Sequence, residues 1–130
     1  MLKSLFTPFN SILLGISLVL SYTDIYVHSA DAEIEAISCL EAIACGNVPI
    51  ISNSNESATV QFAMDEDSLF EHGNSENLAK KIDYFLDNPN IVEKKRKEYA
   101  EFANQFRIEN SVKLMEEMFK EEIEEYKNIK

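Results

Sequence analysis

Residues 24–52 read DIYVHSADAEIEAISCLEAIACGNVPIIS, and this stretch decides the fold. The β-branched and aromatic run 24–28 predicts a strand. Apolar residues then recur at spacings of three and four over 34–45, which predicts a helix, and Gly46 is typical of the position just past a helix end. The near-continuous apolar run 48–52 predicts a buried parallel strand. Strand, helix and strand within about thirty residues form a βαβ unit, which is nearly always right-handed.

The rest of the chain adds one strand and three helices to this unit. A short strand is predicted at 68–70, and Asn74 or Ser75 can cap a helix over 76–87. Two further helices are predicted at 91–105 and 109–129. The fold class is therefore α/β, a partial Rossmann-like parallel sheet of three strands with C-terminal helices.

Three side-chain patterns are interpreted structurally. The apolar stripe of the last helix, which contains Met115 and Phe119, is expected to be core because its spacing is helical. The charge run 93–98 is expected to be a solvated helix face. The acidic cluster 65–67 is expected to be a solvated loop.

The N-terminal segment 1–21 has an uncertain role and is separated from an incomplete domain over 22–130. Its apolar run, 12–20, is too short to span a bilayer, which takes roughly 20 residues. No small-residue cleavage site is well placed for a signal peptide. A buried helix or strand, a signal or anchor, and a segment foreign to the fold all stay open, as does peripheral contact with a membrane.

Charge and cysteine usage limit the function classes. The formal net charge is −11, which argues against nucleic acid as a partner because phosphate backbones bind Lys and Arg. Between Lys3 and Lys80 there is no Lys or Arg, so this half has no cation to hold a phosphate. Cys39 and Cys45 would lie on opposite faces of one helix, and we expect buried free thiols, which suit a reducing cytoplasm.

Two glutamates stand out in the 34–45 region. Glu33 and Glu41 flank seven residues, and eight helical steps would leave both carboxylates on broadly one side. Glu41 lies among apolar residues, so something should donate hydrogen bonds to it, and two adjacent sugar hydroxyls are a good candidate. Glu33 would lie at the helix start, where amides attract anionic groups. Alternatively, Glu33 only caps the helix, and Glu41 faces solvent.

The sequence EAIACGNVP at 41–49, together with Glu33 and the preceding strand, resembles the donor-binding segment of retaining GT-B glycosyltransferases (glycosyl transferases group 1). That family has a strand, a turn, two glutamates separated by seven residues, a small-residue helix ending in Gly, and a strand beginning Val-Pro. The segment from Phe70 to Asn74 is similar to the family's next segment. The resemblance covers about 22–119 and implies the C-terminal half of a GT-B fold.

The resemblance implies a hexosyltransferase whose donor is a nucleotide sugar, a UDP or GDP sugar. Glu33 would bond the hydroxyls of the transferred sugar as the catalytic-site carboxylate, and Glu41 the ribose hydroxyls. Backbone amides near Ala36 and Ile37 would meet the phosphates, and Leu40 would line the ribose side. Such enzymes need no cofactor and no bound metal.

The chain departs from the family pattern in several places. Ser29-Ala30 stands where Pro-Ser is usual, and Glu35-Ala36 stands where an aromatic residue and Gly are common. The Arg and Lys that hold the diphosphate, and the N-terminal Rossmann-like domain that binds the acceptor, are missing. We therefore expect a fragment that transfers no sugar alone, with an unidentified acceptor. A non-catalytic binding module of this fold and a sugar-nucleotide epimerase fragment are the alternatives.

Overall fold

Three parallel strands form the sheet, seen in a computed structural model that describes residues 8–128, with side chains from residue 15. The strands are β1 (Ile25–His28), β2 (Val48–Asn53) and β3 (Leu69–Glu71), in the order β1-β2-β3. Val27 pairs with Ile50, and Ile51 with Leu69. The predicted α/β fold with a parallel sheet is confirmed, with each strand boundary within one residue of its prediction.

Five α-helices accompany the sheet: α1 (Pro8–Ser21), α2 (Ile37–Ala44), α3 (Ser75–Asp87), α4 (Pro89–Ala103) and α5 (Ile108–Asn128). Three short 3₁₀ turns, at Ala58–Phe62, Glu66–Ser68 and Asn104–Phe106, were not predicted. The Asn74 side chain accepts a hydrogen bond from the Asn77 amide and caps α3, as expected. Pro89 is the first residue of α4, where its missing N–H costs nothing.

The core lies between the central strand and the helices. The first five residues of β2 are all buried, which fits the near-continuous apolar character of that strand. Phe85 of α3 and Tyr99 of α4 are fully buried against them. The Tyr99 hydroxyl donates to Ser68 Oγ at 2.7 Å and accepts from the Met64 amide at 3.0 Å, so this buried polar group is satisfied.

The predicted start of α2 is wrong by three residues. The helix begins at Ile37, because Ala36 has φ 53° and ψ 32°, a left-handed conformation that no α-helix continues through. Ile34 is 89% exposed and contributes nothing to the core. Glu33 is therefore outside the helix, and the count of eight helical steps between the two glutamates does not apply.

The charge run 93–98 is not uniformly solvated. The Lys95 side chain is buried and its ammonium binds the carboxylates of Asp65 and Asp67. Arg96 pairs with Asp24 and donates to the Gly46 carbonyl at 2.9 Å. The acidic cluster 65–67 is consequently an anchor for α4 as well as an exposed loop, a role that charge patterning did not predict.

The apolar stripe of α5 is not core. No residue of this helix is buried, and Met115, Met118 and Phe119 are each about half-exposed. The helix contacts the 3₁₀ turn at Asn104–Phe106, and no element of residues 8–128 covers its apolar face. The prediction failed because helical spacing shows that a face is apolar without showing what lies over it.

The N-terminal segment contains a helix, α1, whose described side chains are mostly exposed, including Leu18 and Val19. The helix is joined to the sheet domain through the buried Asn47 side chain, which donates to the Leu20 carbonyl at 2.8 Å. The described part of this segment is thus helical but not buried. Within residues 8–128, no helix is both long and apolar enough to cross a membrane.

Both cysteines are free thiols, and only one of them is buried. Cys39 is fully buried, and this burial raises the pKa of its thiol to about 12. Cys45 is half-buried near the carbonyl of Ser17. The expectation of free thiols is confirmed, and the expectation that both are buried is wrong for Cys45.

Candidate functional site

The carboxyl ends of the three strands lie along one edge of the sheet, where open α/β folds bind their ligands. The loop between β1 and α2, residues 29–36, crosses this edge. It is fixed to the segment after β2, since the Glu33 amide donates to the Glu56 carbonyl at 3.3 Å and the Ala58 amide donates to the Glu33 carbonyl at 2.8 Å. The Ser54 hydroxyl donates to the Asp31 carbonyl at 2.6 Å.

The Glu33 carboxylate is held by the backbone just ahead of α2. Its Oε1 accepts from the Ile34 amide at 3.0 Å and from the Glu35 amide at 3.4 Å. The Ala36 amide is the largest cause that lowers the pKa of Glu33, followed by the Glu35 amide. Hydrogen bonds to the charged form favour it, so Glu33 is an ionised carboxylate at neutral pH.

An open groove with a volume of about 800 Å³ runs beside this carboxylate. It is here called the Glu33 groove. Its lining residues are Ala32, Glu33, Ile34, Glu35, Ile37, Ser38 and Glu56. Three of the seven are acidic and none is Lys or Arg. The groove can accept hydrogen bonds from hydroxyl groups with its carboxylates, whereas an anionic group must be met by backbone amides and the Ser38 hydroxyl.

The predicted site residues divide between the groove and the helix behind it. Glu33 and Ile37 line the Glu33 groove. Ala36 is buried at the N-cap of α2, and Leu40 packs against the core. Glu41 is one helical turn beyond Ile37 on the same side of α2. It is half-buried, and among residues 8–128 its carboxylate has no hydrogen-bond or ion-pair partner.

Sequence reasoning missed the two histidines of the chain, which both lie at this edge. His28 ends β1, and its Nδ1 is 3.5 Å from the Tyr26 hydroxyl. His72 follows β3, and its Nδ1 is 3.3 Å from both Asp31 Oδ1 and Ser52 Oγ. Their positions, one at the end of a predicted strand and one two residues after another, were a signal for this placement. Asp31 and Ser52 approach the same ring nitrogen, so these residues do not form a Ser-His-Asp relay.

The described cations lie away from the Glu33 groove. Lys95 and Arg96 are engaged on α4, and Lys81 donates to the Glu66 carbonyl at 2.6 Å. Among residues 8–128, no three His, Cys, Asp or Glu side chains are grouped closely enough to hold a metal ion.

A comparison with known protein families identifies the chain. Residues 5–106 match the family described as glycosyl transferases group 1. The chain belongs to this family. The match begins within the apolar N-terminal segment and ends before α5, so it includes all of α1 and the whole sheet. No curated protein sequence matches the chain.

A solved structure supports the same assignment for this group 1 glycosyltransferase domain. The crystal structure of the catalytic domain of cholesterol-alpha-glucosyltransferase from Helicobacter pylori matches with 47% sequence identity and a TM-score of 0.70. The match covers 72% of this chain and 59% of the solved chain. The predicted membership in the GT-B glycosyltransferases is confirmed, and the chain spans little more than half of that catalytic domain.

Proposed function

We propose that this group 1 glycosyltransferase domain binds the nucleotide-sugar donor for transfer of a hexose to an acceptor. The observation that carries the proposal is the pairing of an ionised, backbone-held Glu33 in an open groove with an unpartnered, half-buried Glu41 one helical turn behind that groove. These two carboxylates are the acceptors that a sugar and a ribose require.

Glu33 is assigned to the transferred sugar. An ionised carboxylate accepts at two oxygens with about four lone-pair sites. The amides of Ile34 and Glu35 both donate to Oε1, so lone-pair sites of the carboxylate remain for sugar hydroxyls. This contact orients the sugar for reaction, and positioning is a large part of what such a transferase supplies.

Glu41 is assigned to the ribose. Glu41 is half-buried and its carboxylate has no protein partner among residues 8–128, so its oxygens are open to two adjacent ribose hydroxyls, which supply two charge-assisted hydrogen bonds. Leu40, one residue earlier, would face the ribose from the apolar side.

The diphosphate is assigned to the start of α2. The first amides of a helix have no intrahelical acceptor and lie at the positive end of its dipole. The amides near Ala36 and Ile37 are the donors there, although the Ala36 amide also interacts with the Glu33 carboxylate. Without Lys or Arg in the Glu33 groove, this half alone stabilises a departing diphosphate weakly. We therefore expect donor binding without sugar transfer by the isolated chain.

Glucose is the sugar we propose, transferred with retention of the anomeric configuration. The similar H. pylori structure is named for α-glucosyl transfer, and 47% identity supports the same sugar chemistry here. The nucleotide is uridine or guanosine diphosphate. The acceptor and its Rossmann-like binding domain lie outside the part of the fold that the described residues form.

The test is calorimetric titration of the whole chain with UDP, UDP-glucose, GDP and GDP-glucose. One nucleotide pair should bind, and its glucose form should bind more tightly than the free diphosphate. Glu33→Gln should remove that extra affinity and leave diphosphate affinity unchanged. Glu101→Gln, an exposed carboxylate on α4, is the matched control and should change neither. Failure of all four ligands to bind would refute the proposal.

A further inference from the structure

His28 has an unusual environment for a histidine next to a ligand groove. The side chain is buried, with 7% of its surface exposed, and Nε2 is the one buried side-chain nitrogen or oxygen without a hydrogen-bond partner in the described part of the chain. Such orphan groups are rare in native proteins, and each needs an explanation. The other ring nitrogen, Nδ1, faces the Tyr26 hydroxyl at 3.5 Å.

The orphan nitrogen decides where the ring proton is. An unpaired buried N–H is rarer than an unpaired acceptor, so Nε2 carries the lone pair and Nδ1 carries the proton. Nδ1 then donates to the Tyr26 oxygen. The Tyr26 hydroxyl in turn donates to Ser38 Oγ at 3.3 Å. Both contacts are long, and hydrogen bonds in unliganded sites tighten when a ligand arrives.

This direction of donation has a consequence for Ser38, which lines the Glu33 groove. A hydroxyl has one proton, and because Ser38 Oγ accepts from Tyr26, its own proton is free to donate elsewhere. Ser38 is the second residue of α2, next to amides that lack intrahelical acceptors. The groove has three carboxylates and no Lys or Arg, so an anionic ligand group bound there needs hydrogen-bond donors, and the Ser38 hydroxyl is a side chain of the groove that can supply one.

We propose that Ser38 donates to the diphosphate of the nucleotide, and that Tyr26 and His28 are positioning residues that fix its hydroxyl in the donating orientation. This inference rests on the proposed function and adds to it a diphosphate contact made by a side chain. It also explains the buried, half-satisfied His28, whose value lies in directing the Tyr26 hydroxyl and not in stability.

The experiment compares UDP with uridine by calorimetric titration of the whole chain. Ser38→Ala should weaken UDP about tenfold, the effect of losing one hydrogen bond to a charged group. Uridine affinity should not change, since uridine has no phosphate. Ser75→Ala, an exposed serine at the start of α3, is the control and should alter neither affinity.

The positioning role has its own readouts. Tyr26→Phe should weaken UDP in the wild-type background and have no further effect in Ser38→Ala, because the two residues act as one unit. His28→Leu should weaken UDP without lowering the melting temperature, as it removes an orphan nitrogen. His28→Asn, which keeps an N–H donor near the position of Nδ1, should restore UDP affinity.

The outcomes separate this inference from the proposed function. If the wild-type chain and Ser38→Ala bind UDP equally well, the inference about Ser38 is overturned and the proposed function is not. Additive losses in the Ser38→Ala and Tyr26→Phe double variant overturn the positioning role. Wild-type chain that binds no nucleotide at all overturns both proposals.

Discussion

At the residue scale, Ala36 carries the local strain of the site. Among the described residues it is the one non-glycine with a positive φ, 53°, and its side chain is buried. A left-handed conformation costs an L-residue about 1–2 kcal/mol, which glycine avoids. The strain is retained at the junction where Glu33 meets the start of α2, a place where functional sites often store it.

Ala36→Gly should therefore stabilise the fold. We expect the free energy of unfolding to rise by about 0.5–1 kcal/mol, measured by urea denaturation, because glycine adopts this φ freely. Ala44→Gly is the matched control on the same helix. Ala44 is in the last turn of α2, so that change should lower the free energy of unfolding by up to about 1 kcal/mol. Equal losses in both variants would show that Ala36 is not strained.

Residue-scale features of the site were the hardest to predict from sequence. The glutamate pair was found, because its spacing and the EAIACGNVP segment resemble a known family. The helix start was missed because Ile34 fits the apolar period, and nothing in that period reports that Ala36 adopts a left-handed conformation. The roles of Glu33, Ala36, Ile37, Leu40 and Glu41 stay predictions.

At the element scale, α4 is fixed by a buried cation. The Lys95 side chain is 7% exposed, and it binds carboxylates of Asp65 and Asp67 that are 48% and 45% exposed. The sequence showed only a run of four cations between two glutamates at 93–98. The pattern could not reveal that one lysine of the run reaches an acidic turn thirty positions earlier, since only the tertiary fold brings α4 to that turn.

Lys95→Ala removes the cation that binds the two carboxylates and should destabilise the protein by about 1–2 kcal/mol. The loss is no larger because the half-exposed carboxylates are hydrated by water in the variant. Lys94→Ala is the control, since Lys94 neighbours it in sequence and is 77% exposed. The control should change stability by less than about 0.5 kcal/mol. Thermal unfolding of both variants is the measurement, and equal melting temperatures would contradict an anchoring role for Lys95.

The outer face of α5 makes a second element-scale prediction. Phe119 is 55% exposed, whereas Phe85 on α3 is fully buried. Phe119→Ala should therefore change the free energy of unfolding by no more than about 0.5 kcal/mol, and Phe85→Ala should lower it by about 3–5 kcal/mol. Chemical denaturation measures both. A loss above 2 kcal/mol in Phe119→Ala would mean that something covers this face in solution.

At the scale of the whole molecule, the fold was predicted from the sequence more fully than the conformations and contacts of single residues were. The three parallel strands and the helices that follow β1 were predicted from periodicity and from the βαβ rule, which depend on many residues at once. Burial was predicted well for β2, where the apolar run is continuous, and badly for α5, where the pattern has no information about neighbours. The charge distribution showed that residues 4–79 contain no Lys or Arg, and the Glu33 groove within that range is accordingly lined by carboxylates and by no Lys or Arg.

The most direct test of the central claim is the nucleotide affinity of Glu41→Gln, measured by calorimetric titration with UDP and GDP beside a melting curve. The change keeps the shape of a half-buried side chain, so stability should move by no more than about 1 kcal/mol. Affinity for the diphosphate that binds should fall at least about tenfold, because two charge-assisted hydrogen bonds to ribose are weakened. Unchanged affinity together with a large fall in melting temperature would contradict the account and make Glu41 a structural residue.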